Sequence, residues 1–314
     1  MCHAANKAAN RTTTAHTPTL QTIKNMNNDT LKEFYTPFNQ EELIHKLSAI
    51  RHVALDMDGT IYMGSTLFPW TKAFLAQLDA LGIGYSFLTN NPSKNIDDYL
   101  HKLDKMDIQV PREKMYTSAL ATIDYIKTKH PEAKRLFLLG TPSMIAEFEA
   151  AGFESAPSTE GDIPDMLVVA FDMTLQYDRL CHAAWLATQN IPYVATNPDR
   201  VCPTDKAEVL VDCGSICKCI EHATGRKPDL ILGKPDPGML TGIASRYGLK
   251  PHEIAMAGDR IYTDVATAQN AGAFGVLVLS GETTLDTALS SNPQPDLTAR
   301  TLKEFGDLLE RAHR

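Results

Sequence analysis

From residue 41 onward, short uninterrupted apolar runs alternate with longer segments whose apolar residues recur at helical spacing. The runs fall at 53–55, 85–88, 136–139, 166–171, 193–195, 230–232, 254–257 and 274–279. Helical patterns occupy 71–81, 95–106, 144–151, 178–189 and 263–271, between most of these runs. Alternation of this kind predicts an α/β protein on a largely parallel sheet with right-handed crossovers. No internal repeat interrupts it, and the only compositionally biased stretch lies near the start.

Polar chemistry gathers where four of the runs end. The first ends in Asp56 and Asp58, the second in Thr89-Asn90-Asn91, the sixth in a segment holding Lys234, and the seventh in Asp259 and Asp264. Open parallel sheets bind ligands at the carboxyl ends of their strands, so these groups are expected to converge. Two aspartates closing a core strand are costly unless a cation compensates them. A calcium loop starting at Asp56 fails, because Ile61 stands where glycine is needed and Leu67 where glutamate is needed. Singly, each motif has a bland reading. Thr89 to Asn91 before Pro92 reads as a turn, Lys234 as a solvated lysine, and Thr263 as a helix cap. Gly82-Ile83-Gly84 lacks the third glycine of a dinucleotide fingerprint and precedes a strand rather than following one.

Composition narrows the classes. The 314 residues are 43% hydrophobic and 22% charged, as in a globular protein with a sizeable core. A net charge of −8 without a basic run argues against nucleic acid as the main partner. No apolar run is long enough to span a bilayer. The six cysteines form no secreted-domain framework, and a reducing cytoplasm is the expected location. Cys213, Cys217 and Cys219 are not spaced as a paired metal motif and read as buried or inert thiols. The first 28 residues hold Lys7, Arg11 and Lys24 and no acid, without an amphipathic period. They read as a mobile tail or an extension ahead of a start at Met26, and the tail is placed at residues 1–40.

Taken in order, "LDMDGTIY", "FLTNNPSKN", "VVAFDMTLQYDRL", "YVATNPD", "ATGRKPDLILGKPDP" and "AGDRIYTDVATAQNAG" resemble the haloacid dehalogenase (HAD) superfamily, from about residue 50 to the C-terminus. The closest likeness is to its class IIA branch. That branch includes the N-acetylglucosamine-operon phosphatase and the phosphatases of phosphoglycolate, glycerol phosphate and pyridoxal phosphate. The resemblance implies a Rossmann-like core over 41–119 and 230–314. An inserted α/β cap of the C2a type would span 120–229. About 140 residues separate Asn91 from Lys234, far more than a crossover needs, which fits an insertion there.

What the resemblance implies chemically is a Mg²⁺-dependent phosphatase acting on small phosphate monoesters. Asp56 would be the nucleophile, forming an aspartyl-phosphate, and Asp58 the general acid and base. Thr89 and the amide of Asn90 would hold phosphoryl oxygens, and Lys234 would neutralise them. Asp56, Asp259 and the backbone carbonyl of Asp58 would hold Mg²⁺, with Asp264 supporting the metal or Lys234 from behind. The cap loop 195–203 would present Asn197 and Asp199 to the leaving group, although it also reads as a surface turn. Nearby, "VDCGSICKC" departs from the family's glycine-rich approach to the next helix. The partner is a small phosphorylated metabolite, and a homodimer through the cap is expected by analogy. Rival readings are a phosphotransferase or mutase using the same intermediate, and a receiver-like module phosphorylated on Asp56. Asp58 opposes the receiver, since an acid/base group beside an acyl phosphate shortens its life.

Overall fold

The computed structural model describes residues 34–202 and 208–314. Two sheets organise the chain. The first runs, in spatial order, Phe34–Tyr35, Leu297–Ala299, Phe274–Val278, Ile254–Gly258, His52–Asp56, Gly84–Thr89 and Met115–Thr117. Every neighbouring pair is parallel except Phe34–Tyr35, which runs antiparallel against Leu297–Ala299. The strand His52–Asp56 lies inside the sheet, and Val53, Ala54 and Leu55 are fully buried because helices cover both faces. Val53 and Leu55 pack with Leu43, Phe74, Leu78 and Phe305 of the helices Gln40–Ser48, Thr71–Leu81 and Leu302–His313. Ala54 faces the other way, toward Met239 and Leu240 of the helix Gly238–Tyr247.

The second sheet runs Leu230–Ile231, Tyr193–Ala195, Met166–Val169, Arg135–Leu139 and Glu154–Ser155, parallel throughout. Helices Tyr177–Ala187 and Cys213–Thr224 close one face through Leu186, Ile216 and Ile220. Helices Ser118–Lys129 and Pro142–Ala150 close the other through Ile123, Met144 and Phe148.

The expected α/β architecture with mostly parallel sheet is therefore what the chain adopts, with three differences in detail. The run at 230–232, expected to be a strand of the core beside the others that carry chemistry, pairs instead with Val194 and Ala195 at the edge of the second sheet. Lys234 reaches the site from there, across a short connection. The tail expected through residue 40 is ordered from Phe34, which joins the first sheet, while Thr36 Oγ1 donates to the Asp296 carbonyl at 2.7 Å. The remainder of that tail, 1–33, lies outside the described residues. Finally, Thr263 caps no helix. Its hydroxyl is buried without a partner, and the chain already winds as a π-turn over Ile261–Val265 before Ala266–Ala271.

The two sheets are joined by interlocking helix caps. Asn95 caps Ile96–Lys105 with a reciprocal capping box, and Thr141 caps Pro142–Ala150. Thr141 Oγ1 also donates to the Ser93 carbonyl at 2.9 Å, and Ser143 Oγ to Asp98 at 2.8 Å. Each cap thus holds its own helix and the neighbouring one.

Candidate active site

Parallel register brings the polar strand ends together. Asp56 pairs with Leu88 one residue before Thr89, and Leu55 pairs with Ala257 two before Asp259. Carboxylate oxygens of Asp56, Asp259 and Asp264 lie within 4.8 Å of one another, the one such acidic cluster among the described residues. Lys234 Nζ bonds Asp56 Oδ1 directly and Asp264 Oδ1 at 2.7 Å. Burial pushes the Asp56 carboxyl up to about 8; Lys234 pulls against this, and Asp264 and Asp259 add to it. Burial, with Asp264, pushes Asp259 up to about 6. Burial opposes the charge on Lys234, yet Asp264 and Asp56 hold its proton more tightly than usual. Lys234, with Arg260 close enough to act on Asp259 and Asp56, leaves the three clustered carboxylates short of positive charge.

The donor set suits a hard divalent cation. Asp259 Oδ2 accepts from the Glu282 amide at 2.7 Å, while its Oδ1 is buried with no hydrogen-bond partner. An orphaned buried carboxylate oxygen beside a second carboxylate is what a cation would satisfy. Gly59 leaves room for it. At φ +86° a Cβ there would be strained, and it would collide with the Asp259 carboxylate. Asp264 spends one oxygen on Lys234 and the other on the Arg260 amide at 3.0 Å, so it supports the cluster more than it faces inward.

Asp58 stands apart. Its side chain is 61% exposed, and its nearest cation is Lys102, 3.9 Å away. The Thr89 hydroxyl accepts from the Asn91 amide at 3.2 Å, which leaves its own proton to donate. The Asn90 side chain is a clamp: Oδ1 accepts from the Lys234 amide at 2.6 Å, and Nδ2 donates to the Lys234 carbonyl at 2.9 Å and to Asp199 at 3.2 Å.

The two cap residues part company. Asp199 is half-buried, faces Asn90 at the edge of the cluster, and is pushed up chiefly by burial. Asn197 is fully buried; its Nδ2 donates to Asp212 at 3.0 Å and its Oδ1 accepts from Thr196 at 2.9 Å. In that position it braces the loop, and it also bonds the Asp199 side chain. The divergent "VDCGSICKC" segment keeps one functional glycine, because a Cβ on Gly214 would strike the Pro198 carbonyl. Cys213 and Cys217 are buried in the second sheet's core, whereas Cys219 is exposed.

Sequence patterns missed three contributors. Glu282 and Thr283 hold Asp259 from the loop after Phe274–Val278, the latter by a 2.6 Å bond to its carbonyl. The strand-end rule that found Asp259 applies equally to that loop. Lys102 sits mid-helix, and nothing in the local pattern singles it out. Among the described residues no helix is long and apolar enough to cross a membrane.

Comparison with known proteins places the chain in a family. A family model described as haloacid dehalogenase-like hydrolase matches residues 53–154, and one described as HAD-hydrolase-like matches 231–305. The acid sugar phosphatase of Staphylococcus aureus (strain USA300) is 31% identical over 250 residues, covering 80% of this chain and 94% of the relative. The 4-nitrophenylphosphatase of Thermotoga maritima superposes with a TM-score of 0.79 at 40% identity, over 84% of this chain and 98% of that one. A glycerol phosphate phosphatase of Mycobacterium tuberculosis, solved with calcium, gives a TM-score of 0.75 at 26% identity, over 82% and 75%. With identity of that order sustained along nearly the whole of a curated relative, and a strand-end cluster of the matching kind, the chain belongs to the haloacid dehalogenase-like hydrolases, in their class IIA branch.

Proposed function

We propose that the protein is a Mg²⁺-dependent phosphatase that hydrolyses small phosphate monoesters, sugar phosphates or similar metabolites, through an aspartyl-phosphate on Asp56. The observation that carries this reading is Asp56 itself. It is a strand-end carboxylate bonded to the buried Lys234 and set beside the unpartnered oxygen of Asp259. The named activities of the relatives, an acid sugar phosphatase and a 4-nitrophenylphosphatase, support the same class.

In this mechanism an Asp56 oxygen attacks phosphorus as the ester oxygen departs, and Asp58 gives that oxygen its proton. The Thr89 hydroxyl and the Asn90 backbone amide hold phosphoryl oxygens, and Lys234 neutralises charge on them and on Asp56. Asp58, now a carboxylate, takes a proton from water. The water oxygen then attacks phosphorus, releasing inorganic phosphate and restoring Asp56. Asp56, Asp259 and the Asp58 carbonyl would hold Mg²⁺, which when bound offsets the negative charge of the phosphoryl group and carboxylates. The Asp199 side of the cap faces the leaving group.

A panel of sugar phosphates, glycerol phosphate, phosphoglycolate and pyridoxal phosphate, assayed for phosphate release with Mg²⁺ and with excess EDTA, tests the reading. Turnover of at least one ester is expected with Mg²⁺, abolished by EDTA and restored by added Mg²⁺. Asp56→Asn, nearly isosteric but unable to attack phosphorus, is expected to abolish it while leaving the circular dichroism unchanged. Turnover that persists in EDTA removes the metal, and turnover in Asp56→Asn removes the nucleophile.

A further inference from the structure

Lys102 belongs to none of the motifs above. It lies on the helix Ile96–Lys105, whose start is fixed by the Asn95 capping box and tied to the second sheet's helix through Ser143. A lysine on such a helix ordinarily extends into water. This one lays its stem inward and sets Nζ 3.7 Å from the centroid of the Tyr62 ring, with only 25% of the side chain exposed. Tyr62 is itself fully buried within the first sheet's core cluster. Seated on that ring, the ammonium lies 3.9 Å from Asp58 Oδ2. Asp58, by contrast, is open to solvent, with the Tyr62 hydroxyl and the Lys102 ammonium as its side-chain neighbours.

We propose that Lys102, seated on the Tyr62 ring, is a positioning residue for Asp58: it stabilises and holds in place the carboxylate that Asp58 becomes as it delivers its proton. The proposal rests on the reading of Asp58 as general acid. When Asp58 gives its proton to the leaving oxygen, a full negative charge appears beside the ammonium. That attraction is absent while the carboxyl is neutral, so it strengthens on the way to the transition state. The effect follows the leaving group. An alkyl ester needs the proton, whereas p-nitrophenolate departs with little help.

The test compares kcat/KM for an alkyl ester turned over by the wild type with kcat/KM for p-nitrophenyl phosphate, in Lys102→Met, Lys102→Arg, Asp58→Asn and the Lys102→Met/Asp58→Asn double variant. Lys102→Met is expected to lower the alkyl value about tenfold, a fraction of the two to four orders that general acid–base catalysis contributes. The p-nitrophenyl value and inhibition by inorganic phosphate are expected to stay within about twofold, and Lys102→Arg to recover most of the loss. In the Asp58→Asn background Lys102→Met is expected to cost nothing further, the signature of acting through Asp58. Equal losses on both esters would mark Lys102 as structural and overturn the proposal. So would a loss that persists without Asp58, which would place Lys102 on the leaving group itself. Near-normal alkyl turnover by Asp58→Asn alone removes the acid reading, and the proposal with it.

Discussion

Asp56 and Asn197 show what single residues reveal and conceal. Asp56 was legible because an acid at the end of an apolar strand is anomalous, whereas Lys234, Asp259 and Asp264 became legible only as a set of strand-end motifs in order; all four meet in one cluster. Asn197 also follows an apolar strand, and its Asn-Pro-Asp context suits an exposed turn as well as a substrate loop. What decides is Asp212, fifteen positions away, which turns the Asn197 amide inward and buries it. No local pattern carries that partner. Burial pushes the Asp212 carboxyl up to about 6, with the Asn197 amide opposing the shift. Asn197→Ala strips that buried carboxyl of a donor, so the expected result is a loss of about 1–3 kcal/mol in stability. Denaturant or thermal unfolding reads it directly. A variant as stable as the wild type that still loses activity would return Asn197 to the cleft.

At the scale of elements, the long helices and the buried strands were legible, because periodicity and unbroken apolar runs report burial. Partnership is another matter. The run at 230–232 is equally apolar in either sheet, and only its register with Val194 and Ala195 shows which one it joins. Two-residue strands such as Phe34–Tyr35 carry no period at all. The packing of Pro142–Ala150 against Ile96–Lys105 was likewise invisible, and it buries Glu147. Burial pushes that carboxyl from 4.5 up to about 7; Arg112 and the Ile96 amide pull it down, and Asp97 and Asp98 push it up. The folded protein therefore holds this proton more tightly than the unfolded chain. Stability falls as pH rises from about 4.5 through about 7 and then levels off with respect to this group. Glu147→Gln removes that dependence. Its stability relative to the wild type is expected to climb across the window by roughly 1–3 kcal/mol. Melting curves of both proteins at pH 5, 6, 7 and 8 check it, and a difference independent of pH would mean the carboxyl ionises freely.

Across the whole molecule the helix caps join the two sheets at one place, and the Asn90 side chain ties them together at the site. Asn90 rises from the first sheet, binds both backbone groups of Lys234, and reaches Asp199 on the loop that leaves the second sheet. Lys234 in turn enters two residues after Leu232, whose amide bonds the Ala195 carbonyl of the second sheet. The phosphoryl group, common to all substrates, would then be held by Asp56, Thr89 and Lys234, while the differing leaving groups meet the Asp199 side. Discrimination in kcat/KM comes from contacts that strengthen in the transition state for one leaving group and not another. Asp199→Ala is therefore expected to flatten the ranking among natural esters. Inhibition by inorganic phosphate, which has no leaving group, is expected to change less than about threefold, since the buried clamp between Asn90 and the Lys234 backbone survives the substitution. Both quantities are measured on the one variant. If phosphate inhibition weakens in step with turnover of every ester, Asp199 acts by holding Asn90, and through it Lys234, and the choice of substrate is made elsewhere in the cap.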